Sequence, residues 1–128
     1  MRTLLVADDN RLSRELIREV LESADCRVME AANGQEALAR LKETDLDLVL
    51  LDLEMPVKDG FAVLAAIRNN PRFSGLPVMA VTAKAMQTDR DRIVGAGFDA
   101  YIIKPINSAE LRRQVNELLS LPRPGGVR

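Results

Sequence analysis

The chain contains no histidine and no tryptophan, a single cysteine and a single tyrosine in 128 residues. Without histidine there is no Ser-His-Asp or Cys-His catalytic centre and no histidine-ligated zinc, and chemistry that needs a phosphohistidine must draw it from another chain. The lone Cys26, in the run CRVMEA, has no intramolecular partner; it suits a reducing compartment and reads as a half-buried strand residue. No apolar run approaches the ~20 residues needed to span a bilayer, and the N-terminus lacks a basic segment followed by an apolar signal core. A soluble, cytoplasmic protein without membrane insertion is expected. Charge of one sign is missing as well: 18 basic residues against 19 acidic ones leave a net charge of −1, so nothing pulls the chain as a whole toward nucleic acid or anionic lipid.

What is present is about one domain's worth of sequence, 47% of it hydrophobic, in short apolar runs that alternate with helical patterns. Thr3 to Asp8 reads as a strand, and Arg11 to Ser23 as a helix whose buried stripe would carry Leu12, Leu16, Ile17, Val20 and Leu21. Cys26 to Ala31 is a second strand, after which Asn33 with Glu36 signals the cap of a helix running to about Glu43. Leu46 to Leu51 is apolar on both faces apart from Asp47, as a central strand should be; the turn-rich MPVKDG and a helix to about Asn69 follow, ended by Pro71. Leu76 to Val81, a helix from Lys84 to Val94, a strand from Phe98 to Ile103, and a helix opened by Asn107 with Glu110 complete the pattern. The fold class is α/β, a (βα)5 doubly wound sheet of five parallel strands, for which the flavodoxin-like order 2-1-3-4-5 is the common solution. Residues 1–121 make the domain, and 122–128, PRPGGVR, read as a flexible tail, either a frayed end or a remnant linker.

Four of the apolar runs stop on residues suited to phosphate or metal chemistry: LLVA on Asp8 and Asp9, LVLL on Asp52, VMAV on Thr82 and AYII on Lys104. Open parallel sheets bind ligands at the carboxyl ends of their strands, and in the expected order strands 1 and 3 are neighbours, so three carboxylates would crowd at the switch point. Like charges that close raise one another's pKa unless a cation neutralises them. Lys104 is one candidate. A hard divalent ion is the other, since an oxygen-only donor set that leaves positions for water suits Mg²⁺, with Mn²⁺ as a substitute. Singly, each residue has a plainer account. Asp9 and Asn10 could cap the first helix, Asp52 could be a turn residue, Thr82 an ordinary strand residue, and Lys104 a solvated lysine before a turn proline. Their convergence on one sheet edge favours a shared site.

The segment from Gly95 to Ala100 satisfies the G-x-G-x-x-G/A pattern of dinucleotide loops, but it ends a helix and enters a strand, so glycine capping at positive φ is the better reading.

Taken together, the Asp8-Asp9-Asn10 run, LDLEMPVKDGF around Asp52, the Thr82-Ala83 pair and Lys104-Pro105 resemble the receiver domains of two-component response regulators, of the single-domain chemotaxis-regulator class. The resemblance covers nearly the whole chain. It implies a phosphoprotein of a signal-transduction phosphorelay, in which Asp52 is the phosphoacceptor. The donor would be a sensor histidine kinase or histidine phosphotransfer protein acting in trans, or a small phosphodonor. It implies Mg²⁺ held by Asp9 and Asp52, by Asp8 through water, and by the main-chain carbonyl of Glu54. Lys104 and the Thr82-Ala83 pair would bind the phosphoryl oxygens, a cis peptide before Pro105 would aim Lys104 inward, and Tyr101 would follow Thr82 as a switch on the α4-β5-α5 face. That face would contact a downstream protein or a second copy of the chain as a homodimer. Such a domain is not a conventional enzyme, although it assists its own phosphorylation and dephosphorylation.

Glu54 and Lys84, each two residues past a site residue, are expected to face each other and tune phosphoryl lifetime. Arg11, Arg14 and Arg18 could dock a helical phosphodonor, or form an ordinary solvated face with Glu15 and Glu22. Two other functions compete with this one. A haloacid-dehalogenase-type phosphohydrolase would need an Asp where Glu54 stands, and a degenerate receiver serving only as a scaffold would not need the full set of site residues. With no output domain in view, the chain reads as a stand-alone receiver or one cut from a larger kinase.

Overall fold

The computed structural model describes residues 1–121, so the tail expected over 122–128 lies outside the described residues. Five strands and five helices alternate: β1 (Arg2–Ala7), α1 (Arg11–Glu22), β2 (Cys26–Ala31), α2 (Gly34–Glu43), β3 (Leu48–Asp52), α3 (Gly60–Asn69), β4 (Val78–Thr82), α4 (Gln87–Ala96), β5 (Ala100–Ile103) and α5 (Ser108–Ser120). The strands form one parallel sheet in the order β2-β1-β3-β4-β5, the expected topology.

Alternation of side chains along each strand sorts the core into two layers. Leu4, Val6, Leu48, Leu50, Met79 and Val81 pack with Ile17, Leu21, Leu111 and Val115 of α1 and α5. Leu5, Ala7, Val49, Leu51, Val78 and Ala80 pack on the other side with Ala37 and Leu41 of α2, Val63, Leu64 and Ile67 of α3, and Ile93 of α4. All five residues of β3 and of β4 are buried, because each strand has helices over both faces. Cys26 is buried in the first layer, more so than expected.

Four of the five helix starts follow side-chain capping. Asn10, Asn33, Asp59 and Asn107 accept hydrogen bonds from the backbone N–H of Ser13, Glu36, Ala62 and Glu110 respectively.

Four element starts lie two or three residues later than expected, α4 ends at Ala96 rather than Val94, and one buried stripe differs. β3 starts at Leu48 rather than Leu46, and β4 at Val78 rather than Leu76, where Pro77 has no N–H to give to a ladder. β5 starts at Ala100 rather than Phe98, because the Asp99 carboxylate takes the Val78 N–H and the Arg68 guanidinium. α4 begins at Gln87 rather than Lys84, since the Lys84 N–H donates to the Thr82 hydroxyl and that turn competes with helix. On α1, Ile17, Val20 and Leu21 are buried as expected, but Leu12 is 77% and Leu16 40% exposed. Leu12 and Leu16 are rotated around the helix away from the Ile17, Val20 and Leu21 face, which continues through the first turns as the partly buried Ser13 and Arg14.

Gly97 ends α4 in the left-handed region at φ 104°, whereas Gly95 lies inside the helix; of the dinucleotide-like pattern only Gly97 is a positive-φ cap.

Candidate functional site

The carboxyl ends of β1, β3, β4 and β5 bring Asp8, Asp52, Thr82 and Lys104 to one crevice. Carboxylate oxygens of Asp8, Asp9 and Asp52 all lie within 4.8 Å of one another. The rival capping account of the acidic pair separates cleanly. Asn10 caps α1, which leaves Asp9 exposed with its carboxylate available. Asp8 is buried at 1% exposure, and its Oδ1 accepts the Asn10 N–H at 2.8 Å. Asp8 Oδ2 is buried and 3.1 Å from Lys104 Nζ, an ionic contact that lacks hydrogen-bond geometry and leaves that oxygen without a hydrogen bond. An orphaned buried carboxylate oxygen beside two further carboxylates suits a hard cation, so these residues fit Mg²⁺.

Asp52 Oδ1 accepts the Glu54 N–H at 2.9 Å, and Oδ2 is 3.3 Å from Lys104 Nζ. Burial pushes the Asp52 carboxyl up, the nearby Asp8 carboxylate pushes it further, and the Glu54 N–H and Lys104 hold it back; the result is a pKa of about 6. Burial works against the Lys104 charge, but Asp8 and Asp52 outweigh it and hold the ammonium above its ordinary value. The site is therefore electrostatically unfinished. Lys104 pairs with Asp8 and Asp52 while Asp9 has no such partner among the described residues, and a further cation would lower the cost of keeping Asp52 in its charged form.

Thr82 is 1% exposed, and because its hydroxyl accepts the Lys84 N–H, its own hydrogen is left to be donated elsewhere. The Lys104 N–H donates to the Thr82 carbonyl at 2.7 Å, tying the two strand ends together, and the Lys104–Pro105 peptide is cis. Ala83, the next residue, is exposed. Tyr101 is half-buried on β5, opposite Ala80, and lines a cavity of about 540 Å³ with Ile93 and Val94 of α4 and Glu110 and Gln114 of α5. Glu54 and Lys84 face each other at 3.9 Å, both more than half exposed. The arginines of α1 do not form one docking face. Arg11 pairs with Glu15, Arg18 with Glu22 and Glu30, and Arg14 turns inward to Glu30 and the Asp8 carbonyl.

Sequence reasoning missed two supports of the site. Gly60 lies so close beneath β3 that a Cβ there would sit 2.7 Å from the Asp52 carbonyl oxygen and 2.9 Å from the Leu53 Cα; the KDG triplet carried that signal as a turn only. In the same loop Val57 has φ 71° and closes a turn in which Lys58 N–H donates to the Pro56 carbonyl, strain that a β-branched residue gives no hint of.

The response regulator receiver domain family matches residues 4–116. The chain is 35% identical over 106 residues to the polar-differentiation response regulator DivK of Brucella anthropi, covering 83% of this chain and 86% of that one. It is 37% identical over 120 residues to the sensor histidine kinase CheAY of Helicobacter pylori, covering 92% of this chain but 15% of that much longer protein. Among solved structures, the receiver domain of the sensor histidine kinase PA1611 from Pseudomonas aeruginosa superimposes with a TM-score of 0.86 at 31% identity, covering 94% of this chain and 98% of that one. It holds a magnesium ion in its active-site cleft. Among the described residues, no helix is long and apolar enough to cross a membrane.

Proposed function

This chain belongs to the response regulator receiver domain family of two-component signalling, and from that premise we propose that Asp52 accepts a phosphoryl group from a phosphohistidine of a partner kinase or phosphotransfer protein. The observation that carries the reading is the buried Asp8 and Asp52 paired with the half-buried Lys104 and flanked by the exposed Asp9, a cluster whose charge is balanced only when a divalent cation binds. Asp8, Asp9, Asp52 and the Glu54 carbonyl are the groups that would hold Mg²⁺, which when bound neutralises charge on the phosphoryl oxygens.

An Asp52 carboxylate oxygen forms the new O–P bond as the P–N bond to the donor imidazole breaks, and the departing nitrogen takes up a proton from solvent. Lys104 stabilises the equatorial oxygens from the side opposite Asp9, and Thr82 donates its hydroxyl hydrogen to one of them, with the backbone of Ala83 alongside. Once Thr82 is drawn to the phosphoryl group, the turn built on its hydroxyl loses the Lys84 N–H contact or moves with it. Tyr101 and the face of α4, β5 and α5 then shift population toward a state that a downstream protein, or a second copy of the chain, recognises. Glu54 and Lys84 screen the acyl phosphate from water; neutralising both should shorten its lifetime, as followed by loss of the adduct over time.

The test is incubation with acetyl phosphate and Mg²⁺ followed by intact mass. One added phosphoryl group is expected, absent with EDTA and absent in Asp52→Asn. A native chain that takes no phosphoryl group from this donor or from a phosphorylated partner would instead be a scaffold.

A further inference from the structure

Arg14 was expected at the surface of α1, yet its side chain is only 16% exposed and its guanidinium turns inward. Nε donates to Glu30 Oε1 at 2.8 Å, and Nη1 donates to the main-chain carbonyl of Asp8, also at 2.8 Å. Glu30 is itself fixed. Arg18 binds its other carboxylate oxygen, and Arg40 reaches its carbonyl from the opposite side of the sheet. Burial raises the Glu30 carboxyl, but the hydrogen bonds from Arg18 and Arg14 outweigh that and keep it ionised below the usual carboxylate range.

The Asp8 carbonyl belongs to the peptide unit that joins Asp8 to Asp9, so its orientation sets the direction in which both carboxylates leave the backbone. The Asp8 N–H is anchored to the Ala31 carbonyl of β2, but beyond that bond the chain leaves the sheet and turns toward the cap at Asn10. At this point no ladder holds the peptide plane, and the Arg14 guanidinium takes that place. A planar fork reaching two acceptors at once is a task for arginine and not for a point charge.

We infer that Arg14, braced by Glu30, is a positioning residue that holds the Asp8-Asp9 peptide in the orientation needed for divalent-cation binding. The inference rests on the reading of Asp8, Asp9 and Asp52 as the cation site. It makes a prediction opposite in sign to simple electrostatics: removing a positive charge near three carboxylates should tighten cation binding by Coulomb attraction, whereas loss of positioning should loosen it.

The experiment is calorimetric Mg²⁺ titration of the full chain and of Arg14→Gln, Arg14→Lys and Arg18→Gln, with melting of each metal-free protein as the measure of fold. Arg18→Gln removes the same charge and the same Glu30 partner without touching Asp8, and so serves as the matched control. Arg14→Gln should bind Mg²⁺ about tenfold more weakly, Arg14→Lys should fall between it and the native chain, and Arg18→Gln should bind as tightly as the native chain or more so. The Mg²⁺ concentration for half-maximal phosphorylation by acetyl phosphate should rise in Arg14→Gln while the rate at saturating Mg²⁺ stays near native. If Arg14→Gln does not fold, weaker binding by a folded Arg14→Lys decides the point. Equal affinity in the native chain and the Arg14 variants overturns the inference, and so does an equal loss in Arg18→Gln. A native chain that binds no Mg²⁺ overturns the cation-site reading and this inference with it.

Discussion

Helices α1 and α4 follow the two strands that carry the acidic pair and Thr82, yet they are held in opposite ways. α1 has a side-chain cap at Asn10, buries Ile17, Val20 and Leu21, and is laced to β2 through Arg14, Arg18 and Glu30. α4 starts at Gln87 after Met86, which makes no side-chain cap, buries only Ile93, and leaves the rest of its length exposed or half-buried, Val94 included. Under the proposed function, the side of the crevice that holds the cation is the more tightly packed one, and the side that reports is the less packed one. A bistable element is drawn from the low-stability end of a structure, because only there can one new hydrogen bond shift a population.

The largest test of this difference is a pair of truncations. Ile17→Ala should cost about 2–5 kcal/mol of global stability, since the hole opens in a layer shared by α1, α5 and the sheet. Ile93→Ala should release α4 alone, seen as loss of amide protection confined to residues 87–96 while β1 and β3 stay protected. Equal global destabilisation by the two would erase the contrast.

Next is the electrostatic strain between the two sides. The Asp52 carboxyl is raised from 3.8 to about 6, so the folded state favours the protonated form. The stability this contributes is fully present below pH 3.8 and is lost as pH rises through about 6. In EDTA, Asp52→Asn should therefore be more stable than the native chain by roughly 2 kcal/mol near neutral pH, with the gap closing in mild acid, as urea titrations at the two pH values would measure. Mg²⁺ should narrow the gap by stabilising the native chain.

The smallest effect concerns the missing cap. Met86→Ser supplies an acceptor for the N-terminal N–H groups of α4 and should stabilise that helix by about 1 kcal/mol. The consequence is slower amide exchange in α4 and a weaker response of the α4-β5-α5 face to phosphorylation. An unchanged response would mean that fraying of α4 has no part in the switch.

Much of this was readable in advance, and particular residues show why. Leu48 to Leu51 could only be a doubly covered central strand, and Asn33 with Glu36 could only open a helix, because strand burial and capping depend on residues adjacent in the chain. Leu12 shows the limit. Periodicity placed it on the buried stripe, but the face that packs is centred on Ile17, Val20 and Leu21, and which of several apolar rows a helix turns inward is decided by what it packs on. Lys84 shows another, since its N–H was claimed by the Thr82 hydroxyl and the helix expected there starts at Gln87.

The sequence by itself determined the five βα units, the caps at Asn33 and Asn107, and the set of strand-end residues, since each is written in periodicity or in spacing of a few residues. Only the tertiary structure decided that Asp8 Oδ2 is left without a hydrogen bond, that Gly60 must pass under the Asp52 carbonyl, and that Arg14 faces the Asp8-Asp9 peptide rather than a partner. The physical reason is range. Secondary structure is set by neighbours along the chain, whereas the desolvation of a carboxylate and the reach of a guanidinium are set by groups that meet only when distant strands and helices pack together.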